Sequence, residues 1–150
     1  ENVVTNEDII KRFENVEAGK TKEGEIITGR QMLEGMAKRV GYQTRRKLSK
    51  LEEGKDPAQT TASLCVEAGK KALQDAGLKA EDLDLIILST DSPDFVSPPT
   101  SAKVQYELGA KNAGFLDANA ACAGFTSVMA TAGNFLKADE SLKYAMVIGG

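Results

Sequence analysis

The segment Asp117-Ala-Asn-Ala-Ala-Cys122-Ala-Gly-Phe125 is the part of this 150-residue chain best suited to chemistry. The apolar run Ala113 to Leu116 precedes it and a helical pattern, Ala123 to Leu136, follows it, so Cys122 is predicted at a strand-to-helix turn. The partial positive charge at a helix N-terminus stabilises a thiolate, which is the nucleophilic form of cysteine. The same pattern is also typical of a structural cysteine packed among alanines, and spacing alone does not decide between the two.

No histidine accompanies this cysteine anywhere in the chain. A cysteine nucleophile normally works with a base, most often histidine, within hydrogen-bond reach. The chain therefore carries a predicted nucleophile without its usual partner. The second cysteine, Cys65, lies on the apolar stripe of a predicted amphipathic helix, which favours core packing. Asp91 and Asp94 follow a predicted strand and are candidate catalytic carboxylates, but their position beside Ser92-Pro93 favours turn residues.

A basic cluster is the other candidate binding feature. Between residues 38 and 50 there are six basic residues and no acidic one: Lys38, Arg39, Arg45, Arg46, Lys47 and Lys50. Such a cluster on a chain of net charge -3 suits a phosphate group or an acidic carrier protein, and it is equally typical of a solvated loop. The glycines form neither of the common phosphate-binding fingerprints, which disfavours nucleotide binding of those types.

Composition excludes several classes of protein. The net charge of -3 argues against general nucleic-acid affinity, and no apolar run reaches membrane-spanning length. Two cysteines are too few for a disulfide framework, and no metal-ligand spacing is present, so a reducing, cytoplasmic location is expected. The length predicts one domain over residues 1–150. Both ends suggest truncation, because the chain starts at a polar Glu-Asn and stops just after the strand-like run Tyr144 to Ile148.

The elements that must position these residues alternate between helix and strand patterns. We predict helices from Thr5 or Asn6 to Phe13, from Thr28 to Val40, from Asp56-Pro57 to Ala76, from Thr100 to Leu108 and from Ala123 to Leu136. We predict strands at Leu83 to Leu88, Ala113 to Ala118 and Tyr144 to Ile148, with a loop over residues 14–27. This alternation predicts a layered α/β fold with a mostly parallel sheet.

Five segments, taken in order, resemble the thiolase superfamily, and specifically its β-ketoacyl-acyl-carrier-protein synthase III branch. They are Val3 to Asp8, Arg39-Val-Gly41-Tyr-Gln-Thr-Arg45-Arg46, Ala72 to Ile87, Pro98 to Ala110, and Asp117 to Phe125. The resemblance implies a thiolase-like layered fold in which residues 1–150 form the N-terminal half of a duplicated α/β unit with a buried central helix. It also implies that the C-terminal half is absent from this chain.

The resemblance implies a decarboxylative Claisen condensation in the initiation of fatty acid biosynthesis. Cys122 would take an acyl group from an acyl-CoA or acyl-carrier protein, and the carbanion formed from malonyl-carrier protein would attack that thioester. The family's histidine and asparagine lie in its C-terminal half, which would explain the missing histidine. Arg39 would contact the phosphate of CoA or phosphopantetheine, with Arg45 and Arg46 as weaker candidates. No cofactor or metal is implied; the expected partners are acyl carrier protein, acyl-CoA and a second copy in a homodimer.

Two departures from the family pattern bear on substrate choice. Gly35 stands where the family often has a tryptophan that stacks on the CoA adenine, which leaves an acyl-carrier donor open. Ser97 stands where the family often has a phenylalanine that closes the partner subunit's acyl pocket. The alternatives are a hydroxymethylglutaryl-CoA synthase-like or long-chain condensing enzyme, a non-catalytic subunit or interaction module with the same fold, and, as a distant third, a nucleotide-binding α/β domain.

Overall fold

The computed structural model describes residues 2–47 and 59–150 and separates the chain into two compact units, Glu1–Ala58 and Gln59–Gly150. The predicted helix start at Asp56-Pro57 and the basic residue Lys50 lie outside the described residues.

The first unit contains two short antiparallel strand pairs and two helices. Its elements are β1 (Asn2–Thr5), α1 (Asn6–Phe13), β2 (Glu17–Lys20), β3 (Ile26–Thr28), α2 (Gly29–Val40) and β4 (Thr44–Lys47). Strand β1 pairs with β4, and β2 pairs with β3. Thr5 and Thr28 cap the two helices, each in a capping box with the residue three positions later. The predicted loop over residues 14–27 was therefore wrong, because β2 and β3 form a hairpin there.

The second unit is built on a three-stranded parallel sheet. Its elements are α3 (Thr61–Ala76), β5 (Leu85–Ser89), α4 (Thr100–Leu108), β6 (Gly114–Ala118), α5 (Gly124–Ala138) and β7 (Ala145–Gly149), with strands in the order β6-β5-β7. Both strand pairings are parallel, which confirms the predicted sheet. Helix α3 begins at Thr61, and Gly77 ends it with φ +66°, a left-handed conformation that favours glycine.

The central strand β5 is buried along its whole length, since helices cover both faces of the sheet. Ile86 and Leu88 pack with residues of α3 and α4, such as Cys65 and Val104, in one apolar cluster. Leu85 and Ile87 pack with α5 on the other face. Successive side chains of a strand point to opposite faces, so a continuous apolar run is what a doubly covered strand requires.

Helix α5 follows the predicted nucleophile and contacts the sheet along one side. Val128 and Ala132 are buried against β5, while Phe125, Met129 and Phe135 are about half exposed. The resemblance implies a buried central helix, and α5 is buried on one face within the described residues. Among the residues that the structure describes, no helix has the length and apolar character needed to cross a membrane.

Candidate functional site

Cys122 lies in the tight connection between β6 and α5, where the sequence places it. Residues Ala121–Ala123 form one 3-10 turn, and α5 starts at the next residue. Ala121 has φ +46°, the left-handed region that a side chain disfavours by about 1–3 kcal/mol. The Ala121 N–H donates to Asn119 Oδ1 at 3.1 Å, which helps to hold this turn. The side chain of Cys122 is exposed, and its sulfur is free.

A recess of about 250 Å³ opens beside Cys122. Its walls come from the carboxyl ends of β5 and β7 and from the start of α5: Ser89, Thr90, Asp91, Ala121, Cys122, Phe125, Gly149 and Gly150. Ligands of open parallel α/β sheets bind outside the carboxyl ends of the strands, and this recess lies at that end. The site can therefore admit a small group to the sulfur of Cys122.

The N-terminus of α5 is held close to the end of β5. Gly124, the first residue of the helix, is buried, and a Cβ at this position would overlap Ser89 Oγ and lie 3.2 Å from Ser89 Cβ. No side chain caps this helix start, and the partial positive charge of its backbone N–H groups faces no acidic residue in the first turn. The start of α5 is thus suited to stabilise negative charge on a substrate at Cys122.

Two carboxylates anchor neighbouring helices. Asp117, on β6, accepts hydrogen bonds from the backbone N–H groups of Thr100 (2.7 Å) and Ser101 (2.9 Å) at the start of α4. Asp94 does the same for α3, accepting from Thr61 N–H at 2.9 Å and Ala62 N–H at 3.3 Å. Asp94 is therefore a capping residue for α3. Asp91, in contrast, is exposed and lines the recess with Cys122. Asp91 and Asp94 therefore have different surroundings, although they lie in the same loop.

Cys65 is buried in the apolar cluster under the sheet, with 2% of its surface exposed, as the sequence predicts. Burial raises the pKa of the Cys65 thiol to about 11, and the carboxylates of Asp94 and Asp117 add to that rise. The two cysteines therefore differ sharply: Cys122 is exposed beside a recess, and Cys65 is buried and held in its neutral form at physiological pH.

The other predicted site residues lie elsewhere in the chain. Arg39 is exposed in the last turn of α2, and the backbone of Arg45 and Arg46 belongs to β4, all in the first unit. Ser97 is exposed in the segment between β5 and α4, and it does not line the recess. Cys122 is the member of the five predicted site residues that lines the recess. Sequence reasoning missed Ser89 and Thr90, whose position at the end of the central strand could have indicated them.

Within residues 2–47 and 59–150, no group of three or more histidine, cysteine, aspartate or glutamate side chains could hold a metal ion. The residues that line the recess offer a thiol, two hydroxyls and one carboxylate beside the N-terminus of α5.

No family model matches the chain. Two similar proteins are both named β-ketoacyl-[acyl-carrier-protein] synthase III. One, from Clostridium perfringens, is 50% identical over 91 residues, which is 61% of this chain and 28% of that protein. The other, from Chlorobium luteolum, is 43% identical over 117 residues, which is 78% of this chain and 33% of that protein. The chain therefore spans about a third of the length of these relatives.

Solved structures show the same relation in the fold. A 3-oxoacyl-[acyl-carrier-protein] synthase III from Aquifex aeolicus matches 99% of this chain and 40% of its own, with a TM-score of 0.73 and 32% identity. A tetronic acid condensing enzyme, AbyA1, matches 100% of this chain and 40% of its own, with a TM-score of 0.72 and 25% identity. These matches confirm the thiolase-like α/β fold that the resemblance implies.

Proposed function

From the premise that this chain resembles one part of the β-ketoacyl-[acyl-carrier-protein] synthase III proteins, in sequence and in fold, we propose that it carries the acyl-accepting cysteine of a condensing enzyme. The enzyme would form a carbon–carbon bond by decarboxylative Claisen condensation at the initiation of fatty acid biosynthesis. The observation that supports this best is the position of Cys122, exposed on the wall of a recess at the start of α5.

The proposed reaction has two halves. In the first, Cys122 Sγ attacks the carbonyl carbon of an acyl thioester, and coenzyme A or the carrier's phosphopantetheine leaves as a thiol that takes the proton lost by Cys122. In the second, malonyl-carrier protein loses carbon dioxide, and the carbanion attacks the acyl-cysteine and releases Cys122. The 150 residues of this chain hold no histidine. We therefore assign the groups that assist the loss of carbon dioxide to residues outside this chain.

The substrates are proposed to be acyl-CoA or acyl-carrier protein, with malonyl-carrier protein as the second substrate and no cofactor. Arg39, exposed at the end of α2, would contact the phosphate of CoA or phosphopantetheine, with Arg45 and Arg46 as weaker candidates for that contact. The active protein is proposed to be a cytoplasmic homodimer in which Ser97 lies near the acyl pocket of the partner subunit. The exposed side of α5 would be covered by the remainder of such a protein.

Acylation of Cys122 is the direct test. The protein that carries this sequence is incubated with acetyl-CoA, butyryl-CoA or an acyl-carrier protein, and the peptide that contains Cys122 is weighed by mass spectrometry. We expect a mass increase equal to the acyl group on Cys122, none on Cys65, and none in Cys122→Ala. An unmodified Cys122 with every donor, in protein that iodoacetamide does alkylate at this residue, would refute the proposal.

Addition of malonyl-carrier protein then separates an enzyme from a non-catalytic protein of the same fold. A condensing enzyme releases the acyl group from Cys122 and forms a β-ketoacyl-carrier product with one carbon dioxide. An acylated Cys122 that malonyl-carrier protein cannot discharge would contradict the condensation half of the proposal. In a parallel reaction of the acetylated protein with acetoacetyl-CoA, a product that carries a 3-hydroxy-3-methylglutaryl group would instead identify the hydroxymethylglutaryl-CoA synthase-like alternative.

A further inference from the structure

Strand alternation places the side chain of Ser89 on the side of the sheet that α5 covers. Leu85 and Ile87 pack against α5, and Ser89 is the next residue of β5 on that face. Because α5 starts beside the carboxyl end of β5, Ser89 is opposite the beginning of the helix. The tight approach of its Oγ to Gly124 shows this directly. Ser89 is therefore fixed next to the turn that carries Cys122.

Ser89 is a buried residue that borders the recess, and its hydroxyl has no hydrogen-bond partner within residues 59–150. Only 7% of the residue is exposed, and the polar groups of buried residues are usually paired. The backbone around it is held on both sides, since Ser89 is in register with Ala118 of β6 and Gly149 of β7, and its carbonyl accepts from Gly150 N–H at 2.8 Å.

The neighbouring polar groups of the recess are less suited to donate a hydrogen bond to a substrate oxygen. Thr90 Oγ1 accepts from Ser92 N–H at 3.0 Å, which holds that oxygen towards the loop, whereas Ser89 Oγ lies against the start of α5. Asp91, when ionised, is an acceptor only, and it is exposed. Ser89 is thus the rigid, unpaired donor beside an uncapped helix N-terminus.

We propose that the Ser89 hydroxyl donates a hydrogen bond to the carbonyl oxygen of the thioester while Cys122 is acylated. As Cys122 Sγ bonds to the carbonyl carbon, the carbonyl electron pair moves to oxygen, and Ser89 stabilises the resulting negative charge. The pair returns when the carbon–sulfur bond to the donor breaks, and the leaving thiol takes the proton of Cys122. This inference rests on the proposed function, and it adds a residue that acts on the acyl group itself.

Two reactions of the same sulfur test the proposal. Acylation by a thioester passes through an oxyanion, whereas alkylation by iodoacetamide does not. In Ser89→Ala we expect acylation of Cys122 by butyryl-CoA to slow at least tenfold, since removal of one oxyanion donor costs about 10²–10³ in rate in well-placed cases. The rate of alkylation should stay within about twofold of wild type, because the thiol and its turn are unchanged. Ser141→Ala, in the turn that follows the opposite end of α5, is the control and should leave both rates unchanged.

The outcomes separate this proposal from the one on which it rests. If wild type is not acylated at Cys122, the proposed function fails and this role for Ser89 fails with it. If wild type is acylated and Ser89→Ala is acylated as fast, the proposed function stands and the role of Ser89 is refuted. If acylation and alkylation slow equally, Ser89 positions the turn through packing and donates nothing to the substrate.

Discussion

The close contact between α5 and β5 predicts that one chemical change, glycine to alanine, has opposite effects at two positions of the same helix. At Gly124 a Cβ would overlap Ser89 Oγ and lie 3.2 Å from Ser89 Cβ. At Gly133 a Cβ would meet nothing within 4 Å. Both glycines have ordinary helical backbone, so the difference between the two substitutions isolates the contact with Ser89.

The expected magnitudes come from two opposing effects. Glycine is disfavoured in a helix interior by about 0.8–1.0 kcal/mol relative to alanine, so Gly133→Ala should raise the free energy of unfolding by about 1 kcal/mol. Forcing an extra methyl group into a packed contact costs about 1–3 kcal/mol. Gly124 is in the first turn, where the propensity gain is smaller, so Gly124→Ala should lower the free energy of unfolding by about 1–2 kcal/mol.

Urea unfolding followed by circular dichroism measures both variants. The two free energies should differ by about 2–3 kcal/mol, or by roughly 8–24 °C in melting temperature for a unit the size of Gln59–Gly150. Combining Gly124→Ala with Ser89→Ala removes the overlapping Oγ and leaves Ser89 Cβ in place, so it should recover part of the loss. Equal stability of Gly124→Ala and Gly133→Ala would refute the packing argument, and so would a double variant no more stable than Gly124→Ala.

Four further outcomes are expected. Limiting iodoacetamide at neutral pH should label exposed Cys122 before buried Cys65 in mass-mapped peptides, and the reverse order would contradict the assignment. Folding raises the pKa of Cys65 from 9.0 to about 11, so the unfolded state loses this proton at lower pH than the folded state. The free energy of unfolding should therefore fall between about pH 9 and 11 more steeply in wild type than in Cys65→Ala. Urea-unfolding free energies that depend on pH in the same way in both proteins would argue against this. Asp94→Ala should lower the free energy of unfolding by about 1–2 kcal/mol, because two backbone N–H groups at the start of α3 lose their acceptor. Asp91→Ala should change it by less than about 0.5 kcal/mol, and equal losses in the two variants would exclude the capping role of Asp94. In a full-length enzyme, Ser97→Phe should shift acyl preference from octanoyl and hexanoyl towards acetyl, since each buried methylene is worth about 0.8 kcal/mol, and an unchanged preference would rule out Ser97 as the determinant of chain length.

Much of the second unit can be predicted from the sequence, because burial on both faces leaves a simple pattern. The nearly continuous apolar run Leu83 to Leu88, which covers most of β5, is typical of a doubly covered parallel strand, and the structure shows every residue of that strand buried. Helix α4 was predicted with its observed bounds, Thr100–Leu108, between a proline-rich loop and Gly109. In these elements local propensity, apolar spacing and end signals all favour the same structure.

The first unit shows where such reasoning fails. Strand β2 reads Glu-Ala-Gly-Lys, which has no β-branched or aromatic residue, so nothing in its composition indicates a strand. It forms because β3 pairs with it in a hairpin, and the residues of β2 themselves carry no strand signal. Strand β4, which contains Arg45 and Arg46, lies within the basic cluster, for which the sequence indicated a phosphate-binding or solvated loop and no strand.

The candidate site likewise combines a residue that a local sequence pattern predicts with residues that only the strand order brings together. The position of Cys122 is predictable, because a cysteine between an apolar strand and a glycine-containing helix start is a local pattern. The rest of the recess is not, because Ser89 and Gly149 come from strands that are adjacent only after the parallel order β6-β5-β7 is known. Once that order is known, strand alternation assigns Ser89 to the face of α5, and the glycine at position 124 becomes the residue that lets the helix start approach it. The same two residues therefore connect the packing of the sheet with the chemistry proposed at Cys122, and the stability and acylation experiments test that one contact from both sides.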